Sequence, residues 1–539
     1  MPQNSDTDVL IMGGGLAGLT LALQLRRRRA AVRITVLERN RFPVPVASHK
    51  IGESTVEIGA NYFSEVLGLK EHLDEQHLRK FGFRFFFSEG QRNLDEVTEI
   101  GVSRPMATPS YQIDRGVFEN FLAERARAEG ITLIEAASVR QIDLAADGEA
   151  APHQVSWRRE GHDQTTSARW VVDAAGRAGL LKRKLGLSAP NEHQANAVWF
   201  RVKGHIRIDD WVAAPGWRER CEPQARWLST NHLVGCGYWV WLIPLSSGHH
   251  SVGIVADPRI HPLEQMSSFD KAMDWLRQYQ PRLFDELDPR RDDLLDFAYF
   301  RRFSYGCKQV FSAERWALTG DAGLFLDPFY SPGSDFIAIG NTLITELIER
   351  DLDGERLGAH AHVYNQLYQS FYESTLALYT DQYPIFGDAE VLPCKVIWDY
   401  TFYWGVLSQL FFHRRLSDLT VLSHLRVELA HCQALNLAMQ KFLREWSAVS
   451  GKHNPAVMHD QIALRWFVQL NSSLHDELDT DAVKARIRHS RAQLAQLAQE
   501  LGETAQAKYP QLDLTELQAA IGPTDHKFVE QAGSLLKAA

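Results

Sequence analysis

The chain has 539 residues, 45% of them hydrophobic and 23% charged, with a formal net charge of −9 at pH 7. That length is more than one hydrophobic core serves, so two or three structural units are expected. The acidic balance excludes nucleic acid as the main partner, because no broad basic field attracts phosphates. Cys221, Cys236, Cys307, Cys394 and Cys432 are scattered without a CxxC pair or metal-ligand spacing, which reads as structural thiols in a reducing, cytoplasmic compartment.

The first segment, "DVLIMGGGLAGLTLALQL", is an apolar run that turns through glycines and resumes at helical spacing. It runs into a strand without a basic leader, so no signal peptide is expected. Gly13, Gly15 and Gly18 complete G-x-G-x-x-G, with Leu16 and Ala17 opening the helix between them. Gly13 permits the tight turn, Gly15 lets the backbone approach a pyrophosphate, and Gly18 allows close helix–strand packing. "VRITVLER" then reads as the next strand, ending in Glu38 and Arg39. Glu38 suits a ribose hydroxyl and argues against a 2′-phosphate, which favours FAD or NAD over NADP. The bland alternative is a glycine turn that only closes two elements tightly.

Next come "HKIGESTVEIGANYF", holding Glu53 and Ser54, and "LRKFGFRFF", holding Lys80 among aromatics. Read alone, Lys80 is a lysine snorkelling over an aromatic patch. "YQIDRGVFENFLAERA" carries Arg115, whose ordinary role would be an ion pair with Asp114 or Glu119. "WVVDAAGRAGLLKRKLGL" predicts a strand, a small-residue turn and a basic helix. In "GYWVWLIP" the alternation puts Trp239 and Trp241 on one face of a strand. "WALTGDAGLFLDP" predicts a strand ending at Gly320-Asp321, an acid placed to bond a ribityl chain. The turn "LFLDPFYSPGSDF" follows, leading into a helix.

Beyond about residue 350 the pattern is helical. "VIWDYTFYWGVLSQLFF" is interrupted by Asp399 and Gln409 and is too short for a membrane span, so a buried aromatic helix is expected. Tyr372, Tyr379, Tyr383, Trp398, Tyr400, Tyr403 and Trp404 could line an aromatic pocket, although core packing is the default for each. His413, His424 and His431 lack a partner in metal spacing, so no metal site is expected.

Taken together, these segments resemble the FAD-dependent monooxygenase superfamily of the hydroxybenzoate-hydroxylase type, which settles the cofactor as FAD. The resemblance implies an α/β fold. It would comprise a Rossmann-like FAD-binding domain over 1–190, with a substrate-side insertion near 60–110, and a mixed β-sheet substrate region over 191–300. A return of the FAD domain over 301–350 and a helical C-terminal domain over 351–539 complete it. Glu53, Ser54, Arg115, Asp321, Pro328 and Gly333 then join the glycines, Leu16, Ala17, Glu38 and Arg39 as cofactor contacts. Three motifs resemble the flavin-dependent halogenases in particular, nearest to those acting on pyrroles and phenols. Trp239, Trp241, Ile243 and Pro244 give W-x-W-x-I-P, whose tryptophans screen the substrate from the flavin. Phe325, Pro328, Ser331 and Gly333 give F-x-x-P-x-x-S-x-G, where Ser331, Gly333 and Ser334 would face the flavin and a halide. Lys80 fits the context of the lysine that guides hypohalous acid to the substrate; Lys50 is a competitor placed nearer the cofactor loop.

The implied activity uses FADH2 from a separate flavin reductase, O2, and chloride or bromide to halogenate an electron-rich aromatic, free or tethered to an acyl carrier protein. Two positions depart from the pattern. Tyr330 stands where free-tryptophan enzymes have glutamate, and Pro332 where relatives have threonine or serine. The alternatives are a monooxygenase or other oxidoreductase on the same scaffold with a degenerate halide site, and a catalytically quiet flavoprotein that binds a carrier.

Overall fold

Apolar runs buried on both faces form the centre of the first sheet, as parallel strands require. The computed structural model describes residues 6–46, 51–146 and 151–522. They fall into two compact units. The first is made of Met1–His77, Ile113–Asn191 and Ser304–Phe371; the second of Leu78–Gln112, Glu192–Phe303 and Tyr372–Ala539.

In the first unit, β1 (Thr7–Met12) leads into α1 (Leu16–Arg28) and back to β2 (Ile34–Leu37). Three arginines close α1, where cations meet the negative end of its dipole. After α2 (Arg115–Ala128) come β3 (Thr132–Ile134), β4 (Ser138–Asp143), β5 (His153–Arg159), β6 (His162–Asp173) and, much later, β7 (Trp316–Leu318). The sheet order is β3-β2-β1-β6-β5-β4, with β7 also pairing β6. Twelve-residue β6 serves two purposes. Its first half pairs antiparallel with β5, and its second half runs parallel to β1 and β7. The carboxyl ends of β1, β6 and β7 therefore share one edge, where open α/β sheets bind ligands. The 20-residue α3 (Gly333–Leu352) packs on α1 and on the short helix Glu57–Asn61.

The second unit is built on an eight-stranded mixed sheet. Its order is Leu294–Phe300, Asn196–Lys203, His249–Ala256, Tyr238–Pro244, Thr230–Gly235, Phe83–Phe86, Glu99–Gly101 and Met458–Asp460. Alternate apolar residues of these strands pack under a helix Phe269–Tyr279 in one large core. The last third of the chain is mostly helical but supplies the edge strand Met458–Asp460, which runs parallel to Glu99–Gly101. The aromatic stretch predicted to be a buried helix is one: Val391–Phe402 passes through a π-helical turn, Tyr403–Ser408, into Gln409–Phe412. Trp404 packs with Phe467, Leu470 and Leu474. Lys395 is wholly buried here, its Nζ 2.8 Å from Asp399 and 2.6 Å from the side-chain Oε1 of Gln440, so its charge is paired. Near the C-terminus a 29-residue helix spans Thr480–Lys508. Among the described residues, no helix is long and apolar enough to cross a membrane.

Candidate active site

In the first unit the glycine turn has the shape its sequence demands. Gly13 has φ +120°, and a Cβ there would overlap the Ala174 carbonyl. A Cβ on Gly18 would overlap the Gly13 carbonyl oxygen, so that glycine sets the helix–strand approach. Gly15, the N-cap of α1, differs: a Cβ there meets nothing within 4 Å. No side chain caps the helix and no acid occupies its first turn. The N–H groups of Leu16, Ala17 and Gly18 thus have no intrahelical acceptor at the positive end of the dipole, and the space beside Gly15 is open, which fits a diphosphate.

Glu38 is buried just past β2 and holds the turn from the other side. Its Oε2 accepts from Gly14 N–H at 2.7 Å and its Oε1 from Asn40 N–H at 2.8 Å. Each oxygen keeps a second lone pair for a ribose hydroxyl. Arg39 beside it is exposed.

Arg115 opens α2 and makes the ion pair with Glu119, at 2.6 Å; Asp114 is instead the N-cap residue. The other arm of Arg115 donates to the Ile51 carbonyl at 2.8 Å. Gly52, at φ +94°, lies against the guanidinium, and the Glu53 carbonyl accepts from Ile113 N–H at 2.6 Å. The loop holding buried Glu53 and Ser54 is thereby fixed to the arginine. Lys50 lies outside the described residues.

After β7 the chain makes a tight turn over Gly320–Ala322. Gly320 is left-handed, and a Cβ there would come within 3.0 Å of the Ala17 Cβ. This close approach puts Asp321 beside the first turn of α1. Burial pushes the Asp321 carboxyl up, against the pull of Arg115, Arg177 and Lys182. The Tyr305 hydroxyl donates to the Asp321 carbonyl at 2.7 Å. Lys182 Nζ donates to the Gly323 carbonyl at 2.9 Å and lies 3.9 Å from the centroid of the Tyr305 ring. Arg177, Lys182 and Tyr305 were not singled out from the sequence. The basic run "GRAGLLKRK" directly after a cofactor strand was the available signal.

In the following turn, Asp327 accepts from Phe329 N–H and Pro328 from Ser331 N–H. Ser331 takes φ +53°, a left-handed conformation uncommon for serine. Pro332 is the N-cap of α3 and its carbonyl accepts from Phe336 N–H. Gly333 is exposed with open space beside it. The Ser334 hydroxyl is turned inward, so close to Gly59 that a Cβ there would overlap it. Asp335 accepts from Gly59 N–H at 2.8 Å.

The second unit holds the other predicted residues. Trp239 and Trp241 are buried on one face of the strand Tyr238–Pro244, with ring centroids 5.6 Å apart. Each indole N–H is anchored by a hydroxyl: Trp239 donates to Tyr383 and Trp241 to Ser251, both at 3.1 Å. Trp241 lies flat over Gly253, where any side chain would collide with it. Beyond Trp239 the wall continues through His232, 5.2 Å away, to Phe85 and Phe83. Lys80, 5% exposed, places its ammonium 3.2 Å from the centroid of the Phe83 ring. The tryptophans and the lysine thus end one continuous aromatic surface, which His232 links. His232 escaped the sequence reading because a lone histidine in a strand carries no pattern.

Among the described residues, no group of three or more His, Cys, Asp or Glu side chains is placed to hold a metal ion. The glycine cradle, the uncapped α1 and the Glu38 carboxylate together suit a dinucleotide. Residues 6–247 match the family model described as FAD binding domain. The chain is 26% identical to the flavin-dependent halogenase chlA of Dictyostelium discoideum, over 74% of this chain and 70% of that protein. It is 25% identical to the 1H-pyrrole-2-carbonyl-[peptidyl-carrier protein] chlorinase of Pseudomonas fluorescens, over 61% and 73%. The solved structure of halogenase PltM shares the fold with a TM-score of 0.64 at 16% identity, covering 95% of this chain and 99% of that one. By these similarities the chain carries an FAD binding domain and resembles flavin-dependent halogenases.

Proposed function

We propose that the enzyme halogenates an electron-rich aromatic ring of phenol or pyrrole type, with Lys80 guiding hypohalous acid to the ring. The observation that carries this reading is the buried Lys80 ammonium on Phe83, at the end of the aromatic wall that begins with Trp241 and Trp239. Bound reduced FAD, supplied by a separate flavin reductase, would with O2 provide the two-electron oxidation of chloride or bromide to hypohalous acid.

The residues of the chain supply binding, exclusion and aim. The Leu16–Gly18 amides and Glu38 hold the dinucleotide end, and Arg115 with the loop at Glu53 and Ser54 shapes the cofactor cradle. Asp321 takes the ribityl chain, and Pro328 and Ser331 form the turn against the flavin. At the start of α3, the N–H groups of Gly333 and Ser334 are the halide donors, since Pro332 has none to give. Trp239 and Trp241 keep the organic substrate from direct oxygenation. Lys80 hydrogen-bonds the hypohalous acid; a carbon–halogen bond forms as the halogen–oxygen bond breaks, and the ring proton leaves with the hydroxide as water. The pyrrole-carrier specificity of the Pseudomonas relative supports a carrier-tethered ring as one substrate form.

A second reading, an oxygenating enzyme with a degenerate halide site, is favoured by Pro332 and by Tyr330 in the same turn. One experiment separates the two. Purified enzyme with FAD, a flavin reductase, NADH and air is given chloride or bromide and either free phenols or a carrier-bound pyrrole. A halogenated product, by mass, supports the first reading. A product heavier by one oxygen, whatever the halide, replaces it with the second.

A further inference from the structure

We infer that Asn341 is a positioning residue for FAD, the single amide that locks three cofactor-binding segments of the first unit in register. It sits two turns into α3, fully buried, with the flavin-side turn at the head of its own helix. Its Nδ2 lies 3.1 Å from the Ala17 carbonyl and 3.1 Å from the Thr20 hydroxyl, both in the first turns of α1. The same nitrogen is 3.1 Å from the Tyr62 hydroxyl, which in turn donates to Gln24 at 2.8 Å. Its Oδ1 accepts from the Thr319 hydroxyl at 2.7 Å, the residue immediately before Gly320-Asp321.

Two N–H groups are shared among three acceptors while the carbonyl oxygen takes a fourth partner. An amide is the side chain of this size that donates on one side and accepts on the other. The consequence is geometric. Gly320 already packs closely on Ala17, where a Cβ would sit 3.0 Å from the Ala17 methyl group. Asn341 fixes the same approach from beneath by bonding the carbonyl of Ala17 and the hydroxyl of Thr319. The diphosphate donors of α1, the acid Asp321 and the turn heading α3 are thereby held at one spacing, matched to one long ligand. A cofactor bound at several points gains affinity only when those points are preorganised. Tyr62, which opens the π-helical turn Tyr62–Val66, ties the helix behind the cofactor loop to the same amide.

The test compares Asn341→Leu, which removes donors and acceptor, with Asn341→Asp, which keeps the acceptor, and Thr319→Val, which removes one donor at nearly constant shape. FAD affinity is read by titrating apoprotein and following quenching of flavin fluorescence. Melting temperatures are measured without and with FAD. The expected result is about tenfold or more weaker FAD binding for Asn341→Leu, the scale of one buried partner left unmade. Thr319→Val should weaken binding severalfold, and in both the FAD-induced rise in melting temperature should shrink. If the variants melt lower as apoproteins but bind FAD within twofold of the parent, Asn341 is only a core contact and the inference fails. Should Asn341→Leu not fold, Thr319→Val decides in the same way. Because the readout is FAD binding, the outcome is independent of whether the enzyme halogenates.

Discussion

The two units present opposite materials at their candidate sites. The first binds with backbone: glycines without side chains, helix N-termini without caps, and carbonyls clamped by Arg115 and Lys182. The second works with side chains, an aromatic wall that ends in one buried ammonium. Backbone donors suit an invariant polyanionic cofactor, since their dipoles are fixed and need no reorganisation. An aromatic surface suits a reactive, uncharged oxidant and a flat ring, because it excludes water and offers few competing nucleophiles. The contrast teaches that damage to one unit should be separable from damage to the other.

The strongest test of that separation is Lys80→Ala. Halogenated product should fall by ~10²-fold or more, the scale of losing a positioned proton donor or base, while FAD affinity stays within about twofold. A parallel loss of FAD binding would break the comparison.

A second test stays within the glycine turn. Gly13→Ala should leave little folded holoenzyme, because its methyl group overlaps the Ala174 carbonyl at a left-handed φ. Gly15→Ala should change the apoprotein's stability by only about 0.5 kcal/mol, since its methyl meets nothing, yet weaken FAD by roughly tenfold. Equal effects from both glycines would mean that the space beside Gly15 is not the cofactor's. Thermal melts and FAD titration distinguish the outcomes.

A smaller effect is expected in the second unit from Tyr383→Phe, which frees the Trp239 indole N–H without removing a ring. Stability should drop by about 1 kcal/mol, and halogenated product per NADH consumed should fall a few-fold as Trp239 loosens. Unchanged coupling would show that ring packing alone holds the tryptophan.

The mildest contrast is one of pH. Burial, with His72 beside it, holds His77 down to about 3, so it is neutral when folded. His77 accepts from the backbone N–H of Asp114, at the start of the helix bearing Arg115. The unfolded chain takes up that proton near the ordinary histidine value, so stability is full above about pH 6.5 and declines steadily as pH falls toward 3. His77→Gln should flatten this decline, read as melting temperature against pH, and leave the Lys80-dependent halogenation profile unshifted.

How much of this was legible in the residues follows from distance along the chain. The glycine turn, Glu38 and the Trp239–Trp241 face were readable because strand, turn and helix periods are local, and each residue's job is set by close neighbours in sequence. Arg115 was half readable: its ion pair with Glu119 is a one-turn contact, whereas its hold on Ile51 joins residues 64 positions apart. That the Ser334 hydroxyl lies against Gly59 was not readable, because it depends on how helix phase at the start of α3 turns that side chain inward.

Asn341 marks the limit most sharply. Its partners Ala17, Thr20 and Tyr62 lie 324, 321 and 279 positions away, and no local pattern distinguishes it from any polar residue in an apolar helix. Likewise, the chain order shows a lysine in "LRKFGFRFF" but not that its ammonium rests on Phe83, or that His232 and Trp239 extend that surface. Local spacing was enough to read a dinucleotide turn and the tryptophan face, since backbone geometry at a glycine turn or a strand is settled within a few residues; FAD and the halogenase motifs were read by resemblance. Which buried groups hold those motifs in register emerged only on folding, because a hydrogen bond or a ring contact depends on separation in space and is blind to separation along the chain.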